Sequence, residues 1–172
     1  MLERPAPDMP TAQILYSSIE KSRSVLAQWL DWTKTTRSAG DTLRFLEDAK
    51  QGEKNGDQFV YAIYRQKTFI GLISAMNISM QHKQAEIGYW LDIGFSGRGF
   101  MTEAVSLLEK ELFDNGFNRI IIYTDVLNTK SADVARRCGF VHEGVLRQER
   151  YSEIQGRFRD INVFSKLKSD LK

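Results

Sequence analysis

The sequence predicts a mixed α/β fold, and three observations carry that expectation. Residues 11–46 repeat apolar side chains at a helical period, whereas residues 59–74 switch to β-rich runs. Between residues 85 and 126 the order is strand, glycine-bearing loop, helix, strand. That order is a βαβ unit, whose two strands usually lie parallel. At 172 residues the chain is long enough to bury one core. No repeat, low-complexity tract or long linker divides it, so a single domain over residues 1–172 is expected.

The elements follow in order. Pro5, Pro7 and Pro10 crowd the start, and from Thr11 a helix is predicted. Leu15, Ile19, Leu26, Trp29 and Leu30 fall near one face, and the helix closes at about Asp31-Trp32-Thr33. Ser38-Ala39-Gly40-Asp41 reads as a turn and cap for a second helix containing Leu43, Phe45 and Leu46. The polar stretch from Gln51 to Asp57 reads as a loop. Phe59 to Tyr64 and Thr68 to Ser74 form a hairpin about Arg65-Gln66-Lys67, and Ala85 to Leu91 is a third strand. A loop from Gly94 to Gly99 leads into a helix with Met101, Ala104, Val105, Leu108 and Leu112 on one stripe, ended by Asn115-Gly116. Ile120 to Val126 is apolar nearly throughout, as a buried strand is. A short helix from about Ser131 to Cys138 stops at Gly139. Strands near Val141 to Tyr151 and Arg157 to Lys166 close the chain around Gln155-Gly156.

Composition excludes several function classes. Lys and Arg total 24 against 22 Asp and Glu, a balance unlike that of a protein built to coat nucleic acid. A local basic pocket for a phosphorylated ligand remains compatible with it. Cys138 is the single cysteine, so no intrachain disulfide forms and a reducing compartment is expected. No apolar run approaches the roughly 20 residues of a membrane span. The opening residues lack the apolar core of a signal peptide. A cytoplasmic protein without a membrane or nucleic-acid partner is the expectation. His82 has no partners at metal-ligand spacing and no metal is expected, while His142 reads as a surface histidine or else as part of the acceptor site. Cys138 reads as core, as do Tyr89, Trp90, Tyr123 and Tyr151 for the most part.

The most informative segment is Ser96-Gly97-Arg98-Gly99-Phe100-Met101-Thr102. Two glycines one residue apart let the backbone bend tightly and keep side chains away from a ligand. The loop opens onto a helix N-terminus, where unpaired N–H groups and the helix dipole favour an anion such as a pyrophosphate. Arg98 adds a positive charge beside it. The segment lacks the Lys-Ser or Lys-Thr of a Walker A loop and the third glycine of a dinucleotide fingerprint. Taken alone, the glycine pair also reads as a plain turn.

The surrounding pattern resembles the GNAT superfamily of acetyltransferases, whose coenzyme A loop joins a strand to a helix in this way. The RimJ/RimL-like branch, which acetylates ribosomal-protein serine or alanine N-termini, is more similar still. The resemblance rests on Ile87-Gly88-Tyr89-Trp90-Leu91, Gly99-Phe100-Met101-Thr102-Glu103-Ala104 and Asn128-Thr129-Lys130-Ser131. Arg137 to Phe140 and Glu143 to Arg147 extend it. It covers residues 58–168 closely and the first helices loosely, and Ser96 departs from the usual Gln or Arg. It implies a curved, partly splayed mixed sheet flanked by helices. It also implies acetyl-coenzyme A (acetyl-CoA) as co-substrate and direct transfer to a primary amine.

The resemblance assigns roles residue by residue. Backbone groups of Trp90 and Leu91 would hold the oxyanion and the pantetheine arm, while Gly97, Arg98, Gly99, Phe100, Met101 and Thr102 would cradle the diphosphate. Arg98, Lys130 and Arg136 are the cations available for the 3′-phosphate. Asn128 would bond the pantetheine amide, although an Asn there also serves as a helix cap. Ser131 would protonate the leaving thiolate, although it too could merely cap. Glu86 is the candidate general base, or else a surface carboxylate. The branch places a glutamate where this chain has Arg150, and Glu149 is one residue away, which on a strand means the other face. Either a bulge restores Glu149, or Glu86 serves, or an α-amine of pKa about 7.7–8.0 needs no strong base. The acceptor is a protein N-terminus, or alternatively a small amine such as an antibiotic, polyamine or amino-acid-like compound. A catalytically silent coenzyme-binding module is the remaining alternative. Homodimers are common in this branch.

Overall fold

A computed structural model describes residues 1–171. Its elements run β1 (Leu2–Glu3), α1 (Met9–Leu26), α2 (Ala39–Asn55), β2 (Phe59–Arg65), β3 (Thr68–Ser79), β4 (Gln84–Leu91), α3 (Phe100–Asp114), β5 (Arg119–Asp125), α4 (Thr129–Arg137), β6 (Val141–Ser152) and β7 (Arg157–Leu167). The sheet order is β1-β2-β3-β4-β5-β7-β6. Every neighbouring pair is antiparallel except β4 and β5. Two parallel strands need a crossover, and α3 supplies it, as the βαβ reading requires.

Alternation divides the sheet into two faces. Ile87, Ile120, Ile122 and Phe164 join Val105 and Leu108 of α3 and Ala135 of α4 in one buried cluster. Val60, Leu72 and Trp90 join Leu15 and Ile19 of α1 and Leu46 of α2 in the other. The helices thus sandwich the sheet, and the expected mixed α/β architecture is the one observed.

Several boundaries differ from the sequence reading, each for a physical reason. Helix α1 stops at Leu26, leaving Trp29 and Leu30 outside it. Arg23 donates to the carbonyls of Thr33 and, at 2.6 Å, Thr36, which folds the following segment back along the helix. Leu30 and Trp32 reach the second cluster from that segment. Helix α2 continues through Gln51–Asn55, expected as loop, because Gln, Glu and Lys are good helix formers whatever their polarity. Gly56, at φ 78°, ends it, and Ser38 caps its start as predicted. Strand β3 extends to Ser79, and the two-residue β1 carries no readable pattern.

Candidate active site

The sheet opens at one place. β4 and β5 pair only at Gln84 with Arg119, Ala85 with Ile120 and Glu86 with Ile121. Beyond that point β4 stays with β3 and β5 with β7, so the two strands part. The amide of Asp92 donates to the Ile70 carbonyl of β3 at 2.8 Å. Backbone groups alternate along a strand, so those of Trp90 also face β3 while those of Tyr89 and Leu91 face the opening. Of the two residues expected to offer backbone groups there, Leu91 faces the opening and Trp90 faces β3. Its indole packs instead against Phe69 and Trp32, with ring centroids 5.8 Å and 6.2 Å away.

The loop after β4 is anchored from beneath. The buried Asp92 accepts from the Ser18 hydroxyl and the Gly94 amide, each at 2.9 Å, and Ser22 accepts from the Ile93 amide at 3.0 Å. Helix α1 therefore fixes the root of the loop. Gly97 and Gly99 sit at φ 76° and 83°, and a Cβ on either would meet no atom within 4 Å. The first amide that bonds back into the helix is that of Glu103, to the Gly99 carbonyl at 3.0 Å. The six amides from Gly97 to Thr102 find no acceptor among the described residues, so the mouth of α3 carries the unspent positive end of the dipole. Met101 contributes only its amide here, since its side chain is in the core. Phe100 packs on Phe95 at 6.3 Å, Arg98 is exposed, and its guanidinium lies 5.9 Å from the Phe95 ring.

Arg137, to which the sequence reading gives no coenzyme role, reaches the first turn of α3, donating from Nε to Thr102 Oγ1 at 3.3 Å. Arg136 instead pairs with Asp133 at 3.0 Å and lies over the Phe164 ring. The periodicity of a nine-residue helix marks both arginines as outward and cannot choose between them.

Helix α4 begins on the far side of the opening. Asn128 is its N-cap, with Oδ1 accepting from the Ser131 amide at 3.2 Å. Its Nδ2 has no partner among the described residues, so the cap leaves a free donor. The Tyr89 hydroxyl donates to the Ser131 carbonyl at 3.1 Å and lies 3.1 Å from Ser131 Oγ. Burial pushes the Tyr89 phenol up to about 12, partly offset by the Ser131 hydrogen bond, so it is protonated at neutral pH.

On the other face, Glu86 sits buried at the apex of the opening. It accepts from Asn77 Nδ2 at 2.7 Å and lies 3.7 Å from Arg150 Nη2. A bulge does interrupt β6 between Leu146 and Arg150, with Gln148 at φ 53°. Glu149 lies exposed within it, and Arg150 returns to register opposite Arg159. The bulge thus brings Arg150 toward Glu86.

The profile for the acetyltransferase (GNAT) domain matches residues 4–141. The chain belongs to the GNAT acetyltransferase family. The ribosomal-protein-serine acetyltransferase of Escherichia coli is 31% identical over 154 residues, covering 89% of this chain and 85% of its own length. The spermidine N(1)-acetyltransferase of Vibrio cholerae is 25% identical over 153 residues, covering 88% and 85%. Among solved structures, the microcin C7 self-immunity acetyltransferase MccE, in complex with acetyl-CoA and AMP, superposes with a TM-score of 0.91. It is 31% identical, over 96% of this chain and 91% of that one. RimL, a ribosomal L7/L12 α-N-protein acetyltransferase in complex with coenzyme A, gives 0.90 at 30% identity, over 96% and 92%.

As a GNAT enzyme the chain uses acetyl-CoA as its acetyl donor. The fold brings Leu91, the Gly97–Thr102 loop, Asn128 and Ser131 to the carboxyl ends of β4 and β5, the crevice where open α/β sheets hold ligands. Glu86 lies on the opposite face of the same opening, whereas Trp90 and Arg136 turn away from it.

Proposed function

We propose that this acetyltransferase acts on the N-terminal α-amine of a protein, of the ribosomal-protein type, by direct attack of the amine on acetyl-CoA. One observation carries the coenzyme site: six consecutive amides without acceptors, beside an unpaired strand edge. Such a cradle suits a diphosphate, and the free edge of β4 suits a pantetheine amide. Gly97 to Thr102, the Leu91 backbone, Asn128 Nδ2 and Ser131 would hold the coenzyme, with Arg98 and Arg137 as the nearby cations. When bound, the coenzyme supplies an activated thioester. Leu91 N–H then faces the developing oxyanion, and Ser131, oriented by Tyr89, delivers a proton to the departing sulfur. Glu86 takes the acceptor's proton, through water. An α-amine lightens that task, because its unperturbed pKa of about 7.7–8.0 leaves a neutral fraction that a lysine near 10.4 lacks.

The similarity to the ribosomal-protein-serine acetyltransferase and to RimL supports a protein acceptor. A second reading, acetylation of a small amine, draws on the similarity to the spermidine acetyltransferase. Residues 1–172 act as one domain in either case, in the cytoplasm.

Free-thiol release from acetyl-CoA should be followed with Ser- and Ala-starting peptides and with a panel of small amines. Turnover on the peptides supports the first reading and turnover on small amines alone supports the second. Coenzyme binding without turnover on either panel would mean a silent module. Ser131→Ala should slow turnover at least about tenfold, a larger loss than the one it causes in coenzyme affinity.

A further inference from the structure

We propose that Arg150 and Glu86 together recognise an acceptor carrying an oxyanion close to its amine: Glu86 faces the ammonium and Arg150 the oxyanion. The proposal rests on the acetyl-transfer reading above and names the substrate class of that same site.

Arg150 keeps an unspent set of donors. A guanidinium carries five N–H groups in a rigid fork that matches carboxylate or phosphate oxygens two at a time. Most interior arginines of this chain use theirs. Arg159 bonds Asp31 and the Trp29 carbonyl, Arg119 bonds Glu143, and Arg23 bonds Glu20 with two carbonyls. Arg150 makes no hydrogen bond to any described residue. Its approach to Glu86, at 3.7 Å, is a charge contact and lies beyond hydrogen-bond range.

The group is nevertheless held in place. Its guanidinium lies 5.4 Å from the Tyr123 ring centroid, a cation–π arrangement that fixes position without consuming N–H donors. The backbone beneath is pinned as well, because the Gln148 amide in the bulge donates to Asp160 Oδ1 at 2.7 Å. The side chain is 47% exposed, so the fork opens to solvent.

The location decides what it can meet. Glu86 is the last residue of β4 paired with β5, so Arg150 stands at the apex of the opening, on the face opposite the α3–α4 cluster. An acceptor entering from that side meets a carboxylate and a guanidinium side by side. Glu86 does not exhaust Arg150, since Asn77 already serves the carboxylate at 2.7 Å. Nor does Arg159 alter the local charge, because Asp31 and Asp125 compensate it. A carboxylate held beside a cationic fork complements an amine held beside an oxyanion. An acidic side chain at the second position of a peptide has that form, and so does a phosphate on a small amine.

The test compares kcat/KM for peptides beginning Ser-Asp or Ser-Glu with Ser-Asn, Ser-Gln and Ser-Lys, and for phosphoethanolamine with ethanolamine. Acidic peptides should exceed their amide counterparts by about tenfold. Preference in the peptide arm alone assigns a carboxylate, and in the small-amine arm alone a phosphate. Arg150→Gln should bring the ratio to within twofold, and Arg150→Glu should invert it in favour of Ser-Lys. Calorimetry of the same peptides on the coenzyme-loaded protein reads the preference even where turnover is absent. Failure of acetyl transfer and failure of oxyanion recognition are thereby separable. Equal affinity and equal kcat/KM across the acidic and amide members, or a preference that survives in Arg150→Gln, would overturn the proposal.

Discussion

The hydroxyl of Tyr89 lies 3.1 Å from Ser131 Oγ and donates at the same distance to the Ser131 carbonyl, tying β4 to α4 across the gap where β4 and β5 part. The contact holds the serine at the opening. Tyr89→Phe keeps the ring and removes only the bond. A neutral hydrogen bond is worth about 0.5–1.5 kcal/mol net, so kcat should fall roughly 3- to 10-fold. Coenzyme affinity, read by calorimetry, should stay within twofold, because the cradle amides are untouched. A kcat equal to that of the parent protein would remove Tyr89 from the chemistry.

How much of this site the sequence announces depends on the range of the interaction involved. The glycine loop, the Asn128 cap and the βαβ order are local features, each written within a few residues, and they are legible. The Tyr89–Ser131 bond spans 42 residues, and the Tyr89 side chain by itself reads as core. The Arg137–Thr102 contact spans 35 residues between two helices whose relative rotation no periodicity encodes. The Leu146–Arg150 bulge is similar. A bulge can be conceived from the sequence, but its outcome depends on Asp160 of the neighbouring strand accepting from Gln148. The choice between Trp90 and Leu91 is not legible either, because strand alternation fixes which backbone groups are free only once β3 is known to be the neighbour.

Gly99 and Gly116 provide an internal comparison. Both hold left-handed backbone, at φ 83° and 88°, and a Cβ added to either would have no other atom within 4 Å. An alanine at either should cost about 1–2 kcal/mol of stability, seen as a similar loss in Tm. Only Gly99 stands at the cradle, so Gly99→Ala should also weaken coenzyme binding, by about tenfold, while Gly116→Ala leaves it unchanged. Parallel losses of affinity in both variants would mean that the cradle is not at Gly99.

Arg159 is the clamp between the segment after α1 and the final hairpin. It donates to the Trp29 carbonyl at 2.9 Å and to Asp31 at 2.5 Å, and Asp31 in turn accepts from Ser152 at 2.7 Å. Its side chain is only 6% exposed, and Asp125 stands 3.9 Å away. Removing one member of such a buried group leaves the other charges without compensation, at about 3–5 kcal/mol. Arg159→Met should lower the denaturant midpoint accordingly with an unchanged slope. The additional removal of Asp31, as Asp31→Asn, should cost less than the sum of the two single changes. Strict additivity would show that the two residues do not act as a unit.

Glu143 links the stability of the fold to acid pH. Hydrogen bonds from Arg119, then from Ser165, hold the Glu143 carboxyl at about 2, well below its ordinary 4.5. A carboxyl lowered in the folded state contributes stability that is fully present above pH 4.5 and is lost as pH falls toward 2. Glu143 joins the start of β5 to β6 and β7 through these partners, with Arg119 Nη1 at 2.8 Å and Ser165 Oγ at 2.7 Å. Denaturation midpoints should therefore decline through that window in the parent protein, beyond the loss contributed by the other carboxylates. Glu143→Gln should flatten part of the decline while lowering stability at neutral pH, and added salt should narrow the difference, because the Glu143 side chain is 38% exposed. Profiles of identical slope for the two proteins between pH 4.5 and 2 would show that the Arg119 pairing contributes nothing to folding.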